Sequence, residues 1–282
     1  MIPVLIITFV FVIIMAPPRC FGQLISVEPS GGGSMADSMR RELKTAPYFS
    51  FYKDNYFIVG TSLSETPTKH NSDAKFQVSV AFRLTNASLP WDTYLSLIYT
   101  QVAFWNVFED SFPMHDINFN PGIAWTKPYY YGDRYLGSTS LIIEHESNGR
   151  DGDASRSWNR ISLSGNLYVT ERVRVFGKIW IPIVDGRNNR DLAEYKGIFC
   201  LGTEIQTANK KLTVGFTIEK RKGFRQFNTI AEISWRIHKK TNLSLFAQFY
   251  NGCAEGLIDY ECHNTMFRVG IVFKPKFFSP RI

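Results

Sequence analysis

The sequence predicts an all-β fold, a twelve-stranded antiparallel transmembrane β-barrel, from three observations. Apolar and polar residues alternate with a period of two along segment after segment, so each segment has one apolar and one charged face. Aromatic residues make up 15% of the 282 residues. Yet the interior of the chain holds no apolar run of the roughly 18 residues that a spanning helix needs. The alternating segments come to twelve, an even count, as in bacterial single-chain barrels. A soluble barrel would turn its apolar face inward. Here the polar face is rich in charge, and a lumen of twelve strands is too wide for Leu and Val to fill. The apolar face therefore points to lipid, and closure removes the unpaired edges that hydrocarbon forbids.

The elements follow in order. Ile2 to Ala16 are almost wholly apolar and lead into Pro17-Pro18-Arg19-Cys20-Phe21-Gly22, so residues 1–22 read as a secretory signal. Residues 23–47 are polar, with Gly31-Gly32-Gly33-Ser34, and read as a periplasmic N-terminal extension with a short helix at Met39–Lys44. Residues 48–282 form the outer-membrane barrel. Its expected strands are 49–62, 74–85, 93–105, 119–126, 137–147, 157–170, 172–184, 196–207, 211–220, 227–238, 242–250 and 265–273. In the second, Phe76, Val78, Val80, Phe82 and Leu84 oppose Lys75, Gln77, Ser79 and Arg83. In the seventh, Val173, Val175, Ile179 and Ile181 oppose Arg172, Arg174 and Lys178. Short links at Glu171 and Asn209-Lys210 suit periplasmic turns. Longer polar links, 148–156, 185–195 and 221–226, suit the outer side.

The formal net charge is +7, but the Lys and Arg are scattered over polar strand faces and turns. No basic helix or basic-aromatic RNA motif is present, so nucleic acid is not the expected partner. A polar lumen and anionic headgroups account better for the charge. Beyond the signal three cysteines remain, Cys200, Cys253 and Cys262. Cys253 and Cys262 flank one loop and could be disulfide-bonded or free; their spacing does not suggest a metal site.

The chemistry gathers at the run from His145 to Asn159. Leu141, Ile143, His145 and Ser147 share one strand face, and Ile142, Glu144, Glu146 and Asn148 share the other. The carboxylates take the polar side, which leaves His145 and Ser147 facing lipid. On the next strand Asn159 shares its face with Ile161, Leu163 and Leu167, so it also faces lipid. A histidine, a hydroxyl and an amide are costly decoration in hydrocarbon, but they suit a catalytic group whose substrate is the lipid. Ser147 is a nucleophile once His145 activates it, and the Asn159 carbonyl holds the other ring nitrogen. An amide in that role avoids a further buried charge. Gly149 lets the backbone turn and expose amides to an oxyanion, and Asp151, Asp153 and Ser155 offer oxygens suited to a hard cation. Gln101 lies on the lipid face with Leu95, Leu97 and Tyr99, where its amide needs a partner or a place at the membrane rim.

His145-x-Ser147-Asn148-Gly149-Arg150 with Ser155-Arg156-Ser157-Trp158-Asn159 resembles the outer-membrane phospholipase A family. The resemblance runs along most of the chain beyond the signal, through Lys75-Phe76-Gln77, Tyr99-Thr100-Gln101, Asn118-Phe119-Asn120-Pro121 and Leu257-Ile258-Asp259-Tyr260. It implies a calcium-dependent homodimer in the bacterial outer membrane that hydrolyses acyl esters of glycerophospholipids, at sn-1 and sn-2. It implies Ser147 as nucleophile, His145 as base and Asn159 as its orienter. It implies Ca²⁺ near Ser111 of one subunit and Arg150 and Ser155 of the other, with Ser111 and Arg150 acting largely through backbone oxygens. Gln101 is the dimer contact it supports. This chain departs from the family at Gly152, where an aspartate is typical; Asp151 and Asp153 flank it. A second calcium position falls near Asn188, which is not acidic and is not carried over. Two further readings are weighed beside this one: a non-catalytic transport barrel, whose mark would be conductance through the lumen, and a deacylase of lipopolysaccharide acyl chains.

Overall fold

The computed structural model describes residues 48–85, 89–131, 134–184, 188–238 and 242–274. The expected signal, extension and short helix at Met39–Lys44 lie outside the described residues. The strands are β1 (Phe49–Phe51), β2 (Asn55–Ser62), β3 (Ser72–Arg83), β4 (Tyr94–Trp105), β5 (Met114–Tyr131), β6 (Arg134–Ser147) and β7 (Ser157–Tyr168). They continue as β8 (Val173–Ile183), β9 (Phe199–Gln206), β10 (Leu212–Lys220), β11 (Phe227–Arg236), β12 (Leu243–Cys253) and β13 (His263–Phe273). A one-turn helix α1 (Leu192–Lys196) precedes β9. From β2 to β13 each strand pairs antiparallel with the next, and β13 pairs with β2 to close the barrel. The expected twelve-stranded antiparallel barrel is the one observed.

Two elements differ from expectation. The first strand is broken: Phe49 to Phe51 pair with Phe82 to Val80, and Tyr56 to Thr61 pair with Gln77 to Ser72. Four residues of this strand thus stand opposite two of β3. Asn55 closes the gap, donating from Nδ2 to the Ser79 carbonyl (3.1 Å) while its Oδ1 accepts from the Ser79 amide (2.7 Å). Thus β1 and β2 are one barrel strand with a bulge. The fourth barrel strand, β5, runs well past the expected 119–126 at both ends. Its prolines, Pro121 and Pro128, look like strand boundaries in the sequence. In a barrel whose register is held on both sides, they each remove only one ladder bond.

The outward face is apolar: Phe57, Val78, Leu97, Ile123, Leu141, Ile143, Ile181, Phe216 and Val269 are exposed. The inward face buries Lys75, Glu144, Glu146, Arg174, Lys178 and Arg268. These charges are paired. Arg160 bridges Glu144 (3.1 Å) and Glu146 (3.0 Å), and Lys178 also pairs with Glu144. Arg174 pairs with Glu204 (2.8 Å) and Arg268 with Asp73 (2.6 Å). Buried charge is tolerable only with such partners, and together they crowd the lumen. Arg172, expected inside, lies exposed in the turn before β8.

Connections 63–71, 106–113, 148–156, 221–226 and 254–262 lie at one end, and the shorter turns 169–172 and 207–211 at the other. The long-connection end is capped from within. Leu257 and Tyr260 of segment 254–262 and Leu192 of α1 pack on Trp158 and Trp180. Asp116 Oδ2 accepts the amides of Leu257 (2.8 Å) and Ile258 (3.1 Å). Glu255 meets Lys75 (2.9 Å) and Arg268 (2.8 Å). Burial alone would raise the Glu255 pKa, but these two cations outweigh it and hold the carboxyl below its usual value. Cys200, Cys253 and Cys262 are free thiols, Cys253 buried and Cys262 exposed.

Candidate active site

Strand β6 ends at the capped rim, and its outward face carries His145 and Ser147 above Leu141 and Ile143. Across the β6–β7 pair His145 stands opposite Asn159, and Ser147 opposite Ser157. The His145 ring Nδ1 meets Asn159 Oδ1 at 2.9 Å. An amide oxygen can only accept, so Nδ1 donates, and in the neutral ring this tautomer leaves the lone pair on Nε2. Ser147 lies two residues along the same face, about 6.6 Å on at strand spacing. Among the described residues no hydrogen bond joins Ser147 to His145, so the structure places them on one face without linking them. One strand pair thus carries a hydroxyl, an imidazole and an amide on its outward face, the last two in contact.

The backbone under His145 is held in an unusual way. Between β5 and β6 the ladder pairs Phe119 with Ser147 and then Gly122 with Glu144, omitting the two pairs between them. Pro121 would stand opposite His145, and proline has no N–H to give the His145 carbonyl. The Asn120 side chain replaces it, Nδ2 donating to His145 O at 2.7 Å. Sequence reading missed this role. The signal was there in Asn120-Pro121, an amide donor beside a lost one, but it has meaning only once the register is known.

Segment 148–156 is organised by Asn148, which is buried. Its Nδ2 donates to Ala154 O (2.8 Å) and its Oδ1 accepts from the Arg156 amide (3.0 Å). Its own amide donates to Arg156 O (3.1 Å). Gly149 sits at φ +65°, and a Cβ there would lie 2.9 Å from the Phe119 ring. Both facts require glycine. The Arg150 guanidinium donates to His115 O (2.5 Å), and His115 meets Asp259 (2.6 Å), tying this segment to β5 and to segment 254–262. Asn188 Nδ2 donates to Gly152 O (2.8 Å).

The expected calcium residues fall in two separate places. Arg150 and Ser155 lie in segment 148–156, and Ser111 lies in 106–113 at φ +69°. Among the described residues no hydrogen bond or ion pair joins Ser111 to either. Nor is there a group of three or more His, Cys, Asp and Glu able to hold a metal. The donors on offer are mainly neutral oxygens, which a hard cation accepts. The Asp151 and Asp153 side chains are exposed, and Gly152 has open space where a Cβ would stand, at φ +57°. Gln101 faces lipid on β4; its Oε1 accepts from the Tyr99 hydroxyl (2.9 Å), and its NH₂ has no partner among the described residues. An apolar groove runs along the same outer face, lined by Leu89, Pro90, Leu95, Ile123, Trp125, Leu141 and Ile143.

The model of the family described as Phospholipase A1 matches residues 39–273. Phospholipase A1 of Proteus vulgaris is 26% identical over 271 residues, covering 88% of this chain and 89% of that protein. Phospholipase A1 of Escherichia coli K12 is 25% identical over 293 residues, covering 94% and 96%. Among solved structures, the Salmonella typhi outer membrane phospholipase dimer with bound calcium matches with a TM-score of 0.72 at 24% identity, covering 88% of this chain and all of that one. Escherichia coli outer membrane phospholipase A matches with a TM-score of 0.71 at 24% identity, covering 81% and 99%. These structural likenesses show the fold.

Proposed function

The chain belongs to the phospholipase A1 family, and on that footing we propose that it is an outer-membrane phospholipase acting through Ser147, His145 and Asn159. The observation that carries the site assignment is the 2.9 Å contact between His145 Nδ1 and Asn159 Oδ1 on the lipid-facing wall, with Ser147 on the same face. Ser147 Oγ attacks the ester carbonyl of a glycerophospholipid while its proton passes to His145 Nε2. The tetrahedral intermediate collapses, the lysophospholipid alcohol leaves with that proton, and the acyl group stays on Ser147. Water then attacks the acyl ester, giving its proton to His145. The fatty acid departs, and Ser147 recovers its proton. Asn159 holds the ring so that Nε2 faces the serine in both halves. The Gly149 amide, freed by the left-handed turn, stabilises the oxyanion. The apolar groove below Ser147 suits the acyl chain, and sn-1 and sn-2 esters are both substrates in this reading.

Ser155, with the backbone oxygens of Arg150 and of Ser111 from a second copy, would hold Ca²⁺; when bound, the ion supplies positive charge beside the oxyanion. The placement of Ser111 apart from the other two within one chain supports a homodimeric site. So does Gln101, whose amide N–H groups face hydrocarbon and would be satisfied by a second copy. The paired lumen charges speak against the transport alternative. Residues 1–22 as signal and 23–47 as periplasmic extension belong to the same reading. The test is fatty-acid release from phospholipid–detergent micelles by the refolded protein, with Ca²⁺ and then with excess chelator. Release that the chelator stops supports the proposal; no release in either condition overturns it.

A further inference from the structure

The end of β10 and its connection to β11 are densely cationic: Lys220, Arg221, Lys222 and Arg225 fall within six residues around Phe224. Phe224 is 81% exposed, more than any other large apolar side chain described. It stands at the rim that carries the active-site loops. Below it the outward face of β9–β11 is lipid-facing, with Ile205, Phe216, Phe227 and Ile233 exposed. Lys220 shares that outward face, paired with Phe227, its ammonium 5.2 Å from the Phe227 ring centroid. Its amine turns up to the carbonyls of Arg221 and Gly223. A lysine that rises this way marks the boundary between hydrocarbon and headgroups. Phe224 sits just above that line, where an aromatic ring prefers the interface to water.

The charges around it are unequal in their commitments. Arg221 is turned inward over the Tyr195 ring (5.6 Å), and Lys222 pairs with Glu194 at the surface. Arg225 lies 6.0 Å from the Phe224 ring centroid and has no carboxylate partner among the described residues. The strand order puts β10 and β11 four to five positions from β6, across the barrel from the proposed catalytic face. A ligand here would not compete with substrate.

We propose that Phe224, Arg225 and Lys222 form a lipid anchor that binds the phosphate groups of an acylated glycolipid in the outer leaflet. The proposal rests on the outer-membrane reading above. The ring rests on the glycolipid at the interface, and the two cations meet phosphate from the headgroup side, with Lys222 exchanging Glu194 for it. A phosphoglycolipid suits the site better than a glycerophospholipid. The latter brings one phosphate, whereas a bis-phosphorylated glycolipid brings one for each of the two cations.

The test uses the full chain refolded into phosphatidylcholine nanodiscs doped with a fluorescent bis-phosphorylated lipid A. Parallel samples carry its dephosphorylated form or phosphatidylglycerol at equal charge. Energy transfer from the protein's tryptophans reads binding. The wild type should favour the bis-phosphorylated lipid, and Lys222→Ala with Arg225→Ala should weaken it about tenfold or more, since each cation near an anionic surface contributes roughly fivefold. Phe224→Ala should shorten the lipid's residence. Equal binding of the dephosphorylated lipid, or of phosphatidylglycerol, overturns the assignment, as does unchanged binding by the double variant. Hydrolysis in detergent micelles should be the same in wild type and variants. If the wild type hydrolyses nothing, the function reading has failed instead, and the two failures are told apart.

Discussion

Asn120→Ala should cripple catalysis without touching any group that meets substrate. The variant leaves the His145 carbonyl without a donor, because Pro121 opposite it has none to offer. An orphaned carbonyl in a lipid-embedded wall costs about 1–3 kcal/mol, and the strand can relieve that only by shifting. The shift falls on the residue whose ring must face Ser147. At about 1.4 kcal/mol per decade, kcat should drop by roughly 10- to 100-fold. KM should hold, since Asn120 lines the lumen side and not the apolar groove. The assay is initial-rate fatty-acid release from micelles, with the barrel's heat-modifiable gel mobility as a check on folding. A second variant sharpens it. Adding Pro121→Ala returns a main-chain N–H to the His145 carbonyl, so the double variant should regain most of the lost kcat. Activity within twofold of wild type for Asn120→Ala would refute the reasoning. So would a large loss in a folded barrel that the double variant leaves uncorrected.

Other expectations follow from the same geometry. Ser147→Ala should abolish lysophospholipid release while gel mobility shows a folded barrel; residual burst-phase acylation would point to another nucleophile. Asn159→Ala should be milder, lowering kcat by roughly 100-fold, because the base remains but its tautomer is no longer held; a pH–rate profile records the change. Gly152→Asp has open space and a left-handed φ that aspartate tolerates, so it should lower the Ca²⁺ concentration giving half-maximal activity. The depressed Glu255 pKa carries a stability term that is fully present above the ordinary carboxylate value near 4.3. It is lost as pH falls through the lower folded value. Urea unfolding followed by tryptophan fluorescence should show a midpoint that is flat at neutral pH and falls in acid. Glu255→Gln should start lower and fall less.

That His145, Ser147 and Asn159 share one outward face was legible from sequence because strand geometry is strictly two-periodic. Once Glu144 and Glu146 claim the polar face, His145 and Ser147 have only the lipid face left. The face of Asn159 followed from the same alternation on the adjoining strand; its register opposite His145, across the nine-residue connection 148–156, is seen only in the fold. Barrel closure was legible too, since alternating strands with charged inner faces have no other stable arrangement in a membrane. What alternation does not encode is partnership between distant strands. That Arg160 bridges Glu144 and Glu146, and that Lys75 reaches Glu255 on a segment 180 residues away, depends on how the strands stagger round the barrel. The strand break at Asn55 and the extension of β5 through two prolines were decided by neighbours that hold register on both sides. The support of His145 by Asn120 belongs with these. A missing N–H is local chemistry, but which carbonyl goes unpaired, and which side chain lies close enough to serve it, is set only when β5 and β6 lie side by side.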